Sequence, residues 1–122
     1  MRKVLIAASA LMLCAAPAFA ADDAMAGYFG NTTVSTGRGF ETRTHYKPDH
    51  TLDVVFTGMG GSLTSKGTWS IDKGQLCRVY DTPPPGITNP VCIPAEAHRV
   101  GDHWTVTVNG ATRDATMTAG VN

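Results

Sequence analysis

The sequence predicts an all-β domain, an antiparallel up-and-down meander of about eight strands closed into a small barrel or a strongly bent sheet; a two-sheet sandwich is the alternative. Three observations carry this. Apolar and polar residues alternate with a period of two over several short runs. Those runs are rich in Thr and other β-branched residues and are separated by Gly, Pro, Asn and Asp. No amphipathic helical repeat appears after residue 20.

In chain order, residues 22–30 are ambiguous and compatible with a short helix, and Thr32–Thr36 reads as a weak first strand. Phe40–Tyr46 alternates cleanly, with Phe40, Thr42, Thr44 and Tyr46 on one face and Glu41, Arg43 and His45 on the other. Lys47-Pro48-Asp49-His50 supplies a turn, because Pro48 pre-sets φ and Asp49 can bond its own backbone. Leu52, Val54 and Phe56 then form the buried face of the returning strand. Gly58-Met59-Gly60-Gly61 reverses the chain, Leu63–Ile71 carries Trp69, and Asp72-Lys73-Gly74 turns it again. Gln75–Asp81 places Leu76 and Tyr80 opposite Cys77 and Val79, and Val91–Ala97 pairs with it. Between them, the loop 82–90 holds Pro83, Pro84, Pro85 and Pro90, which cannot join a ladder. Trp104–Asn109, the hairpin signal Asn109-Gly110 and Ala111–Ala119 complete the series. Phe40, Tyr46, Leu52, Val54, Phe56, Trp69, Leu76, Tyr80, Trp104 and Val106 are the expected core, leaving room for only a modest cavity.

The first twenty of the 122 residues read as a cleavable signal peptide. Arg2 and Lys3 form a positive start, residues 4–16 an apolar run, and Ala18-Phe19-Ala20 a small-x-small cleavage pattern. Cys14 raises a lipoprotein reading, but Leu13 before it is too bulky for that processing. The apolar run is shorter than the roughly 20 residues a membrane span needs. Residues 21–122 then form one domain, bacterial and periplasmic or secreted. Cleavage removes two cations and no acid from a balanced chain of 10 Lys+Arg and 10 Asp+Glu, which leaves it slightly acidic and argues against a nucleic-acid partner. Cys77 and Cys92 remain as a pair in an oxidising compartment and are expected to be joined. Their spacing differs from the tight Cys-x-x-Cys of redox dithiols.

The segments Gly30-Asn31-Thr32, Tyr46-Lys47-Pro48-Asp49-His50-Thr51-Leu52 and Gly67-Thr68-Trp69-Ser70-Ile71-Asp72-Lys73-Gly74-Gln75-Leu76-Cys77 resemble small exported bacterial β-proteins of uncharacterised function. In those proteins an aromatic residue leads into an Asp-Gly turn and a Gly-Thr-Trp strand runs into a Leu-Cys strand; Cys92 would complete their disulfide. Here His50 stands where they usually have Gly. The resemblance implies fold and export and transfers no catalytic residue.

Chemistry-bearing candidates are few. His98 and His103 flank one turn with Asp102 beside them, but no third ligand is identifiable, and solvated turn histidines are the preferred reading over a metal site. Met59 and Met117 have nothing in the sequence to bring them together as a copper pair. No activated nucleophile or Gly-x-Ser-x-Gly elbow is present, and Glu41, Asp53 and Glu96 read as solvent-facing strand positions rather than paired catalytic carboxylates. No cofactor motif is found. Tyr46, Phe56, Trp69 and Trp104 are the candidates to line an apolar pocket at a barrel mouth, although they can serve simply as core. Pro83, Pro84, Pro85 and Ile87 form a stiffened loop suited to a partner's cleft. The expected function is therefore non-enzymatic: a module binding an apolar small molecule or an envelope protein. Inhibition of an exported hydrolase through loop 82–90, and periplasmic metal binding, are the alternatives.

Overall fold

A computed structural model of the chain describes residues 24–58 and 60–122. The signal peptide read over 1–20 and Met59 of the copper pair lie outside the described residues. Eight strands follow one another: β1 (Thr32–Gly37), β2 (Phe40–Tyr46), β3 (Thr51–Gly58), β4 (Gly61–Asp72), β5 (Gln75–Tyr80), β6 (Val91–Pro94), β7 (His103–Val108) and β8 (Ala111–Thr118). They form one antiparallel sheet in the order β6-β5-β4-β3-β2-β1-β8-β7. Every strand pairs with its sequence neighbour except at β6 and β7, while β8 pairs with β1. The result is the expected meander curled into a nearly closed barrel, with a seam between β6 and β7.

Turn chemistry explains the sequential pairing. Arg38-Gly39, Lys73-Gly74 and Asn109-Gly110 are two-residue loops in which both residues have positive φ, the geometry whose twist matches that of the flanking strands. His50, at φ 68°, adopts the left-handed conformation that glycine would take more readily. It is held there by its amide's bond to the Lys47 carbonyl (3.1 Å), while Asp49 Oδ1 accepts from the Thr51 amide (3.0 Å). Most strand limits lie within one residue of the sequence reading, and two differ by more. β4 begins at Gly61, already paired with Gly58, and β6 ends at Pro94 rather than Ala97 because its partner β5 begins at Gln75, opposite Pro94, with one last bond from the Ala95 amide to the Gly74 carbonyl (2.9 Å) in the turn.

Cross-strand registers define the inner face. One row runs through Tyr46, Leu52, Gly67 and Tyr80, and another through Thr42, Phe56 and Leu63. Gly67 is required where it stands, since a Cβ there would run into the Val79 carbonyl oxygen and the Tyr80 Cα. Its absence lets β5 approach β4 closely. The end of the barrel bearing the β2–β3 and β4–β5 turns is tightly filled: Met25, Leu52, Leu76 and Met117 are each 1% exposed. Met25 and Tyr28 enter from the N-terminal segment, a helical turn at 24–25 followed by turns to Gly30. The Tyr28 hydroxyl donates to the Glu96 carbonyl (3.0 Å) and ties this plug to the β6–β7 connection. On the outer face Cys77 and Cys92 sit directly opposite one another across β5 and β6 and are disulfide-bonded, with Cα atoms 4.0 Å apart.

Candidate ligand-binding cavity

The opposite end of the barrel is built differently. Inward positions on β1, β8 and the outer half of β2 include Thr33, Ser35, Thr42, Thr44, Ala111 and Ala115, side chains too short to reach the far wall. They leave a cavity of about 650 Å³, inside the ~300–1,000 Å³ span of small-molecule sites. Its apolar wall comes from Phe56, Leu63, Val91, Trp104, Val106 and Val108. This corrects the expectation of a filled core with only a modest cavity. Phe40, expected in that core, stands at the rim and is 44% exposed, and Trp104 and Val106 are only partly buried.

Three of the four aromatic candidates, Tyr46, Phe56 and Trp104, line this cavity. Trp69 does not. It is packed in the closed end against Phe29 and Tyr46, stacked on His50 at 4.0 Å, and its indole N–H donates to the Lys47 carbonyl (2.9 Å). The Pro-rich loop lies at the mouth, where Pro84, Pro85 and Ile87 contribute to the lining while Pro83 does not. Asn89 clamps the loop's base through paired bonds with the Tyr80 amide (3.0 Å) and carbonyl (2.7 Å). Asn109 Nδ2 donates to the Gly86 carbonyl (3.3 Å), so the loop also spans the seam to the β7–β8 turn.

The residue that the sequence reading passed over is Arg78. It lies between Leu76 and Tyr80 on the inner face of β5, in register with Trp69 and Val91. Its side chain is 9% exposed and lines the cavity. Nη1 donates a long bond to the Tyr46 hydroxyl (3.4 Å), the guanidinium lies 5.9 Å from the centre of the Tyr80 ring, and Nε has no hydrogen-bond partner among the described residues. Burial pushes the Tyr80 phenol up to about 12 and raises Tyr28 further, so both stay neutral at physiological pH and do not compensate the guanidinium. Burial lowers the Arg78 guanidinium and the neighbouring phenols raise it, with a net shift upward; it remains a cation. Strict alternation around Leu76 and Tyr80 was the signal that places Arg78 inside.

Arg113 on β8 also lines the cavity, but its guanidinium is shared among long bonds (3.3–3.4 Å) to the carbonyls of Ser35, Gly37 and Phe40 and the hydroxyls of Ser35 and Thr42. Burial and the like charge of Arg78 pull its pKa down. Arg38 adds a third cation at the exposed rim. Among the described residues no Asp or Glu lines the cavity.

The remaining candidates sit elsewhere. His98 stacks on Trp104 at 3.6 Å between Glu96 (3.4 Å) and Asp102 (3.5 Å), and His103 is exposed. Among the described residues no group of three His, Cys, Asp or Glu side chains is disposed to hold a metal. Glu41 pairs with Arg43 (2.6 Å), and Asp53 with Lys47 (2.7 Å) and Lys66 (3.2 Å), all away from the cavity. Among the described residues no helix is long and apolar enough to cross a membrane. Comparison with protein-family profiles, curated proteins and solved structures returned no match.

Proposed function

We propose that this chain is an exported, non-enzymatic binding module that holds a mainly apolar small molecule inside its barrel. The observation that carries the reading is the division of one barrel into a packed end and an end where short inward side chains leave a cavity of about 650 Å³. A β-barrel needing only stability would fill both ends, because interiors pack to the density of organic crystals. Export is supported by the N-terminal pattern and by a disulfide, which persists in oxidising compartments. Insertion of loop 82–90 into a partner draws less support, since Pro84, Pro85 and Ile87 line the protein's own cavity.

The test is a fluorescence titration of residues 21–122 with the neutral dye N-phenylnaphthylamine. Saturable enhancement is expected, and Thr33→Phe, which projects a ring into the cavity from a partly exposed position, should weaken dye affinity at least about tenfold while the unfolding midpoint holds. An absence of enhancement at micromolar protein would sink the reading. N-terminal sequencing of protein recovered from the periplasm checks the export half: Ala21 is the expected first residue.

A further inference from the structure

Among the described residues Arg78 is the only charged side chain that is buried. An uncompensated guanidinium in an apolar interior is destabilising, and among the described residues no Asp or Glu pairs with it. Glu41 and Asp53 are engaged with cations outside the barrel, and Glu96 and Asp102 flank His98. The Tyr28 and Tyr80 phenols, raised by burial, bring no negative charge. Tyr46 accepts from Nη1 and keeps its own O–H to donate, and Arg78 Nε is buried without a hydrogen-bond partner behind the same wall. One free guanidinium edge beside one phenol matches the two oxygens of a single carboxylate.

The rest of the cavity agrees with that headgroup. With Arg38 at the rim, Arg113 in the wall and no acid among the described residues of the lining, the potential is positive from mouth to interior and draws an anion inward. Phe56, Leu63, Val91, Val106 and Val108 offer no further charge or hydrogen bond from their side chains, so they suit the body of the ligand and not a second polar group. Pro84 to Ile87 lie across the mouth above them.

Building on the reading of the barrel as a small-molecule site, we propose that its ligand is a carboxylate amphiphile whose carboxylate pairs with Arg78 and Tyr46 while its apolar body fills the barrel toward loop 82–90. A phosphate ester would bring a second negative charge, and the second guanidinium in the lining, Arg113, is already shared with backbone carbonyls.

The experiment is displacement of N-phenylnaphthylamine at neutral pH by dodecanoate, dodecanol, dodecylammonium and dodecyl phosphate, each below its micelle concentration, from wild type and from Arg78→Met. Wild type is expected to prefer dodecanoate over dodecanol by at least about tenfold, a difference fitting a charge-assisted hydrogen bond, and to disfavour dodecylammonium. In Arg78→Met that preference should vanish while dye affinity persists. Equal binding of dodecanoate and dodecanol to wild type, or an undiminished preference in the variant, would overturn the assignment and leave the apolar site standing. Stronger binding of dodecyl phosphate would overturn the carboxylate in favour of a phosphate. Failure of the dye and of all four alkyl probes would remove the binding reading itself. The wild-type comparison decides the matter even if the variant does not fold.

Discussion

Truncating a buried side chain normally destabilises a protein, but Arg78→Met is expected to stabilise this one when no ligand is bound. The guanidinium has an orphan Nε, a single long bond to Tyr46 and a ring contact with Tyr80. Leaving a buried charged donor unsatisfied costs about 1–3 kcal/mol. Against this, Met forfeits the contact with the Tyr80 ring, which at 5.9 Å lies at the limit of a cation–π interaction and is worth about 0.5–1 kcal/mol, and a hydrogen bond too long to be worth more than about 0.5 kcal/mol. Methionine is unbranched and close in length to the arginine stem, so it adds no large void. The net is a gain of about 1 kcal/mol, which for a domain of this size raises the midpoint by roughly 4–8 °C. Thermal unfolding followed by tryptophan fluorescence, with the disulfide intact and the protein stripped of lipid, measures it. A fall of several degrees would mean that Arg78 is compensated in the folded protein, and the argument for an external counter-ion would go with it.

Three further outcomes follow from the geometry. Reducing Cys77–Cys92, which closes a loop across a separation of 15 residues, should lower stability by about 3 kcal/mol; calorimetry with and without reductant shows the shift, and an unchanged midpoint would contradict it. Gly67→Ala should cost more than about 2 kcal/mol, because the new methyl meets β5 backbone that cannot swing aside; urea unfolding reads the loss, and a substitution without effect would show that β5 can yield. Asp53 is held below the ordinary carboxylate range, first by its hydrogen bond from Lys47 and then by Lys66. A depressed folded-state pKa stabilises above the unfolded value, near ~3.9, and that contribution is lost as pH falls through the folded one. Asp53→Asn should therefore flatten the acid limb of a stability–pH profile at and below about pH 4, with the discount proper to a largely exposed pair.

The strand ladder was legible because its signals are local. Alternation in Phe40–Tyr46 and the glycine-containing turns at 73–74 and 109–110 act within a few residues, and the structure uses both. Arg38-Gly39 carried the same turn chemistry less visibly, since arginine tolerates positive φ poorly. What the sequence left obscure depends on contacts distant in the chain. Met25 and Tyr28 look like the tail of an ambiguous segment, and only closure of β1 on β8 brings them beneath the barrel as its plug. Whether Trp69 or Trp104 faces the cavity depends on strand height. Both point inward, but Trp69 lies at the packed end, with its indole N–H committed to Lys47.

The cavity itself was nearly readable from the same alternation, had size been weighed along with polarity. Inward positions on β3 are Leu52, Val54 and Phe56, whereas those on β1 and β8 include Thr33, Ser35, Ala111 and Ala115. A barrel with one bulky wall and one slight wall keeps space between them unless the slight wall moves inward. Here it is held out: Arg113 pins β8 and β1 to the start of β2 through Ser35, Gly37, Phe40 and Thr42, and Asn109 ties the β7–β8 turn to the loop beyond β5. These bonds oppose collapse of the mouth end, while the packed end, the N-terminal plug and the disulfide supply the cohesion that the mouth end forgoes. Stability and recognition are thus separated along the barrel axis, and the one costly group inside, Arg78, sits where the two regimes meet.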